Sequence, residues 1–312
     1  MDCAGCSFIP GRSFIVVGGK GGVADNVIAR STSDRLASSS VLTTGIAVAN
    51  TITAIYTEGS LIILGYADDP AVATAASGGI TVSKDGGANF TAASGPNVPV
   101  RAIVKLDGVY IAVGGTGAGA PVVYTSSDNA TTWTASTSSV LTGTNCLTNA
   151  AVDYENSRAY IVGEGGTLLV GTVSGGSLSL ASLTANLPGG PGNLLAVAVL
   201  DAGFVVVGGA AGYYAESKNG GVTWTQPEVP GSVQITSISG NTHRAVLTTS
   251  SQIFYRDVLV DNVYTLVTLA NGASVSGNYT RVRMNREDDF NTFVAVTDAG
   301  EVVFAKAQHP WA

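Results

Sequence analysis

The chain has 312 residues, of which 45% are hydrophobic and 12% charged, with a formal net charge of −7. Its 15 basic residues form no cluster interleaved with aromatics, so neither a phosphate backbone nor an anionic membrane surface has a footprint, and nucleic acid is not expected as a partner. Mean hydropathy is +0.31, yet the longest apolar run, Leu194 to Leu200, is far shorter than the roughly 18 to 20 residues of a helical span, and no membrane insertion is expected.

The first twelve residues, MDCAGCSFIPGR, lack a basic start followed by an apolar stretch, so no secretory signal is expected. Three cysteines occur, Cys3, Cys6 and Cys146. Cys3 and Cys6 have the spacing of half a zinc site, but only His243 and His309 could complete four ligands, so plain thiols are expected and no metal. An odd total leaves room for a crosslink between chains.

Along the chain, an apolar, β-branched run recurs seven times in nearly the same form. The runs are FIVVG (ending Gly18), LIILG (Gly65), YIAVG (Gly114), AYIVG (Gly163), FVVVG (Gly208), RAVLT (Thr248) and FVAVT (Thr297). A period of this size is expected when a four-stranded sheet repeats around an axis. The expectation is therefore an all-β, seven-bladed β-propeller of four-stranded antiparallel blades in one domain, 1–312. Blade limits fall near 1–41, 42–97, 98–139, 140–188, 189–232, 233–275 and 276–312.

A hairpin turn precedes each run: PGRS, TEGS, LDGV, ENSR, LDAG, GNTH and EDDF. The run itself is read as the second strand of its blade, packed on both faces, with a glycine end suited to close backbone approach. No segment holds a helical period for three turns, so almost no helix is expected. Pro310 in the final EVVFAKAQHPWA predicts a short last strand, or one completed by N-terminal residues.

Three turns share the pattern Ser-x-Asp-x-Gly-x-Thr-Trp with changes: Ser83 to Phe90, Ser126 to Trp133 and Ser217 to Trp224. Asp85, Asp128 and Asn219 hold the central position, Gly87 and Gly221 the glycine position, and Phe90, Trp133 and Trp224 the aromatic one. The pattern departs at Ala130, Asn219 and Asn89. It resembles the Asp-box, or bacterial neuraminidase repeat, of sialidases, sortilin-type receptors and photosystem II assembly propellers. That resemblance implies rim turns in which the short polar side chain accepts backbone N–H bonds, glycine allows positive φ and the aromatic covers the turn. It implies a fold and no catalytic role for these acids.

Sialidases of that kind also need an arginine in a Phe-Arg-Ile-Pro type motif, and here the nearest string is Phe8-Ile9-Pro10, without the arginine. Arg30, Arg101, Arg158, Arg244 and Arg281 are dispersed, and solvated or ion-paired arginines are the plain alternative to a convergent cluster. Glycosidase chemistry requires two facing carboxylates. The loop acids Asp68, Asp69 and Glu164 are the candidates should a ligand or ion bind, although adjacent acids in a loop usually point apart.

Loops at one end of the blades, such as GGTGAGAP, ASTSSVLTGTN, LTANLPGGPGN and GGAAG, carry almost no charge, whereas the hairpin turns opposite gather acids. A small-residue face suits protein contact better than catalysis. The expected function is a noncatalytic interaction propeller without catalytic residues or cofactors. It would serve a virion, phage particle or surface appendage, meeting protein partners or a host receptor. The alternatives are a glycan-binding or glycan-cleaving propeller and an assembly factor.

Overall fold

The computed structural model describes residues 5–9, 13–17, 27–31, 39–47, 50–68, 77–116, 119–229, 231–259, 263–268, 277–284, 292–298 and 302–306. The described strands form separate antiparallel sheets in which sequential strands pair. The N-terminal sheet holds β1 (Gly5–Ile9), β2 (Ser13–Val17), β3 (Val27–Ser31) and β4 (Ser39–Thr43). The next holds β5 (Asn50–Glu58), β6 (Leu61–Asp68), β7 (Gly78–Ser83) and β8 (Thr91–Ala92). Then come β9 (Val100–Leu106), β10 (Val109–Gly115), β11 (Pro121–Ser126) and β12 (Thr134–Ala135), followed by β13 (Leu147–Asp153), β14 (Arg158–Gly163), β15 (Leu168–Ser174) and β16 (Ser177–Ser182). A three-stranded sheet follows, with β17 (Leu194–Asp201), β18 (Phe204–Gly209) and β19 (Tyr214–Ser217). The last two hold β20 (Ile235–Gly240), β21 (Arg244–Thr249), β22 (Ile253–Asp257) and β23 (Thr265–Leu266), and β24 (Tyr279–Met284), β25 (Thr292–Thr297) and β26 (Val302–Lys306).

The first strands of successive sheets lie side by side, β5 to β9 to β13 to β17 to β20 to β24, and β1 touches both β24 and β5. This is a β-propeller. Among the described residues its only helices are three single 3-10 turns, and no helix is long and apolar enough to cross a membrane.

The expectation of a seven-bladed propeller of four-stranded blades is overturned: the described strands support a propeller of six blades of three or four antiparallel strands. Six sheets, from Asn50 to Lys306, are built on one plan, and two of them have three strands. In each of the six, the first strand carries one unpaired extra residue near its start: Thr53, Arg101, Thr148, Leu195, Thr236 and Thr280. The N-terminal sheet departs from that plan, since β1 pairs with β2 residue for residue with no such bulge. An extra residue bends its strand and re-aims side chains, so the six bulges mark the blades that share one geometry. Where β19 has no fourth partner strand, an isolated bridge from Glu216 to Thr225 stands in its place. Pro310 lies outside the described residues.

The repeated runs are the second strands, and β10 and β21 are buried along their whole length. Their glycines answer a steric demand. A Cβ on Gly114 would collide with the Pro99 carbonyl, and one on Gly65 would sit 2.7 Å from Val100 of the next blade. The LDGV turn carries Asp107 at φ 46° and Gly108 at φ 82°, the paired positive angles that match hairpin twist. The PGRS tip and the EDDF turn lie outside the described residues.

The core sits between blades. Ile63, Val82 and Ile80 meet Ile103, Tyr110, Tyr124 and Trp133 at one seam. Leu42 and Phe90 pack with Ile52, Ile62 and Leu64 beside the N-terminal sheet. Cys146 is buried and free, and burial pushes its thiol up. Cys3 lies outside the described residues, and Cys6 falls within β1.

Candidate functional site: rim turns, loop face and channel

The three patterned turns close in one way. Ser83 Oγ donates to Asp85 Oδ1 (2.8 Å) and accepts from the Gly87 N–H (2.8 Å). The Asp85 carboxylate accepts from the Asn89 N–H (2.9 Å) and from Asn89 Nδ2 (2.8 Å). Asp128 accepts from the Thr131 and Thr132 amides (both 3.0 Å), from the Thr132 hydroxyl (2.6 Å) and from Ser126 Oγ (2.8 Å). Asn219 substitutes neatly: its Oδ1 accepts from the Thr223 N–H (2.9 Å) and from Ser217 Oγ (3.0 Å). Gly87 and Gly221 stand at φ 96° and 88°, and Ala130 adopts φ 61° in the glycine's place. Trp133 and Trp224 each donate the indole N–H at 3.1 Å to the carbonyl of that residue, Ala130 and Gly221.

The carboxylates are consumed by these turns. The N–H and side chain of Asn89, with Ser83, hold Asp85 down to about 2, and the Thr132 hydroxyl and amide hold Asp128 lower still. Groups so held are permanent anions serving the backbone.

Glu164 opens a 3-10 turn (Glu164–Gly166) between β14 and β15, and its carboxylate accepts from the Cys146 N–H at 3.2 Å. Asp68 ends β6. Asp69 lies outside the described residues. Among the described residues no group of three His, Cys, Asp or Glu side chains could hold a metal ion.

The loop face is organised by hydrogen bonds between neighbouring loops. Gly165 N–H donates to Asn193 Oδ1 (3.0 Å), and Ala210 N–H to the Asn193 carbonyl (2.9 Å). Tyr213 Oη donates to the Pro188 carbonyl (2.9 Å). Gly119 sits so close to the Thr144 carbonyl that a Cβ would meet it at 2.5 Å, which ties the second-to-third-strand loop of one blade to the entry of the next. Small residues permit this contact of backbone on backbone among the described loops.

The central channel supplies what the dispersed arginines withheld. Arg101 of β9 and Arg281 and Arg283 of β24 line one small pocket, together with Asn149 of β13 and Thr53 of β5. No acidic side chain is among the described residues that line it. Arg281 and Arg283 alternate along one strand, which places both on one face. Arg101 occupies the bulge position where four of the other blades carry threonine, and its Nε is buried without a hydrogen-bond partner. The Arg281-x-Arg283 spacing is visible in the sequence; that it meets Arg101 is not, because nearly 180 residues and most of the ring separate them.

Fold and site together define a β-propeller with structural rim turns, a small-residue loop face and a basic channel. No family model matches the sequence, and no curated protein matches it. Among solved structures it is similar to YCF48 bound to D1 peptide, with a TM-score of 0.69 and 13% identity, covering 98% of this chain and 92% of that one. It is likewise similar to a chain of the mitotic checkpoint complex (TM-score 0.66, 10% identity, 95% and 88% covered). A third is the extracellular domain of the two-component system BT4673 of B. thetaiotaomicron (0.68, 11%, 99% and 38%). At such identities the likeness concerns the fold alone.

Proposed function

We propose that this chain is a noncatalytic interaction propeller that docks a protein partner on its loop face. The observation that carries the reading is the loop-to-loop bonding through Asn193 and Pro188, which preorganises a neutral surface of small residues and so lowers the ordering cost of association. The fate of the acids supports it: Asp85 and Asp128 are spent on turns and Glu164 on the Cys146 amide. Structural neighbours that hold a peptide or sit in a complex supply an analogy.

The finer reading makes the chain an Asp-box propeller displayed on or docked to a virion, phage particle or surface appendage, where it serves adhesion. Its basis is compositional: 40 glycines and few charges suit a stable exposed part. Fractionation of the native source tests it. Recovery with particles, and crosslinking of loop-face positions to a particle protein, is expected; recovery solely as a free monomer overturns the reading. Turnover on a glycoside panel that disappears in Glu164→Gln would overturn the noncatalytic part.

A further inference from the structure

We propose that the outer edge of β16 binds an extended, uncharged segment of a partner protein, which joins the sheet as a further strand and sends alternate side chains into the groove beside it. This rim site is separate from the loop-face docking surface and does not depend on it.

The edge differs from its counterparts around the ring. Of the outer strands β8, β12, β16 and β23, three are two residues long, whereas β16 has six. Its register with β15 runs from Ser182 to Ser177 without a bulge. Exposed edges are ordinarily guarded by shortness, charge, proline or a bulge, and the SLSLAS of β16 has none of these. Charge is also missing from the chain on either side, since no Asp, Glu, Lys or Arg occurs between Glu164 and Asp201.

The ladder fixes which groups the edge offers. The Leu183 N–H donates to the Leu168 carbonyl at 2.8 Å, and in an antiparallel pair bonded residues alternate with unbonded ones. Ser177, Ser179 and Ala181 therefore turn their backbone toward β15, while Leu178, Leu180 and Ser182 turn theirs outward. Among the described residues no backbone group pairs with these outward N–H and C=O groups. A row of donors and acceptors two residues apart matches another extended chain.

The groove gives the second observation. It has a volume of about 410 Å³ and lies between Gly176 to Leu180 and the Ser136 to Ser138 segment of the preceding blade. Leu178 and Leu180 are half-buried at that seam beside Val140 and Leu141. Serine and threonine hydroxyls make up much of the remaining wall, and no charged side chain is among the described residues that line it. Uncharged side chains from alternate positions of an added strand enter such a groove without stranding a charge. An edge of six residues is roughly 20 Å long, too short to bury the roughly 800 Å² per partner of a stable contact between folded chains. The occupant is therefore a peptide segment and not a second copy.

Fluorescence anisotropy of a labelled, end-capped heptapeptide, Thr-Val-Thr-Val-Thr-Val-Thr, titrated with the full chain tests the proposal, and amide hydrogen exchange locates the contact. Saturable binding is expected, with slowed exchange at Leu178, Leu180 and Ser182. The same peptide N-methylated at every residue should not bind, because its row of donors is gone. Leu180→Pro removes an N–H that β15 does not use and should weaken binding about tenfold. Ser179→Lys, on the exposed face of the strand, supplies a guarding charge and should weaken it about threefold. Ala92→Lys, on the short outer strand β8, should leave the affinity unchanged. Circular dichroism and gel filtration identify the folded variants, and either edge variant suffices for the comparison. Absence of saturable binding, equal binding of the methylated peptide, protection confined to other amides, or equal affinity in a folded edge variant overturns the proposal. Dimerisation of the chain alone that Leu180→Pro abolishes also overturns it, by giving the edge to a second copy.

Discussion

Two seams of the ring use the same chemistry at different depths. Between the blades of β5 and β9, Lys105 pairs with Glu58 at 2.7 Å, Tyr110 Oη donates to that carboxylate at 3.0 Å, and the two charged side chains stay 25% and 47% exposed. Between the blades of β18 and β21, Arg256 pairs with Glu216 at 2.6 Å, and Tyr214 Oη donates to the same carboxylate at 2.5 Å. Here both charges are almost fully buried, at 3% and 6%. Arg256 also lies 5.1 Å over the Tyr264 ring, and the hydroxyls of Tyr214 and Tyr264 meet at 2.9 Å. The wet pair is screened and contributes little. In the dry pair each charge depends on the other, because a buried ion without its partner is far more costly than the pair.

The largest effect should come from breaking the dry pair on one side. Arg256→Ala leaves Glu216 buried and uncompensated and should cost about 3 to 5 kcal/mol, read by urea denaturation. The double variant Glu216→Gln, Arg256→Met should recover a good part of that loss; a double variant as unstable as the single one would show that packing, not charge, decides the seam. Tyr214→Phe is next. It removes one donor from a buried carboxylate and should cost about 1.5 to 3 kcal/mol, as for hydrogen bonds to charged groups. Burial above all holds both phenols neutral, Tyr214 well above its ordinary value and Tyr264 at about 12, so this contribution should not change between neutral pH and pH 9.

At the wet seam Lys105→Ala should cost about 0 to 1 kcal/mol and lose even that at high salt. A loss as large as that of Arg256→Ala would erase the contrast. The smallest effect belongs to an acid outside any seam. Asp85 is lowered from 3.8 to about 2 by the Asn89 N–H and side chain, then by Ser83. Its folded value is depressed, so its contribution is full above about pH 4 and is lost as pH falls through about 2. The Asn89 amide resonance should shift in that window, while Asn219, which cannot titrate, leaves the Thr223 amide unmoved.

The contrast also explains which parts of the molecule can be read from its sequence. The second strands announce themselves because burial on both faces selects unbroken runs such as FVVVG, and the patterned turns do so because their bonding is confined to about eight residues. Outer strands do not, since β8, β12 and β23 are two residues long and carry no period. The bulges are not announced either: although four of the six are threonines, a single Thr53 or Leu195 in an apolar strand looks like any other residue until the register is known. The buried pair is hidden for a different reason, as Glu216 and Arg256 lie 40 positions apart on third strands and only blade packing joins them. The Arg281-x-Arg283 spacing was legible, whereas its meeting with Arg101 at one pocket required the ring to be closed.

Arg101 carries a consequence for evolution and engineering. At the equivalent positions Thr53 and Thr148 hand a hydroxyl to the following blade, and Thr236 and Thr280 hand theirs to the second strand of their own, so the present residue sacrifices a backbone rivet for a charge at the axis. Arg101→Thr should therefore yield a sturdier protein, by about 0.5 to 2 kcal/mol, read by urea denaturation.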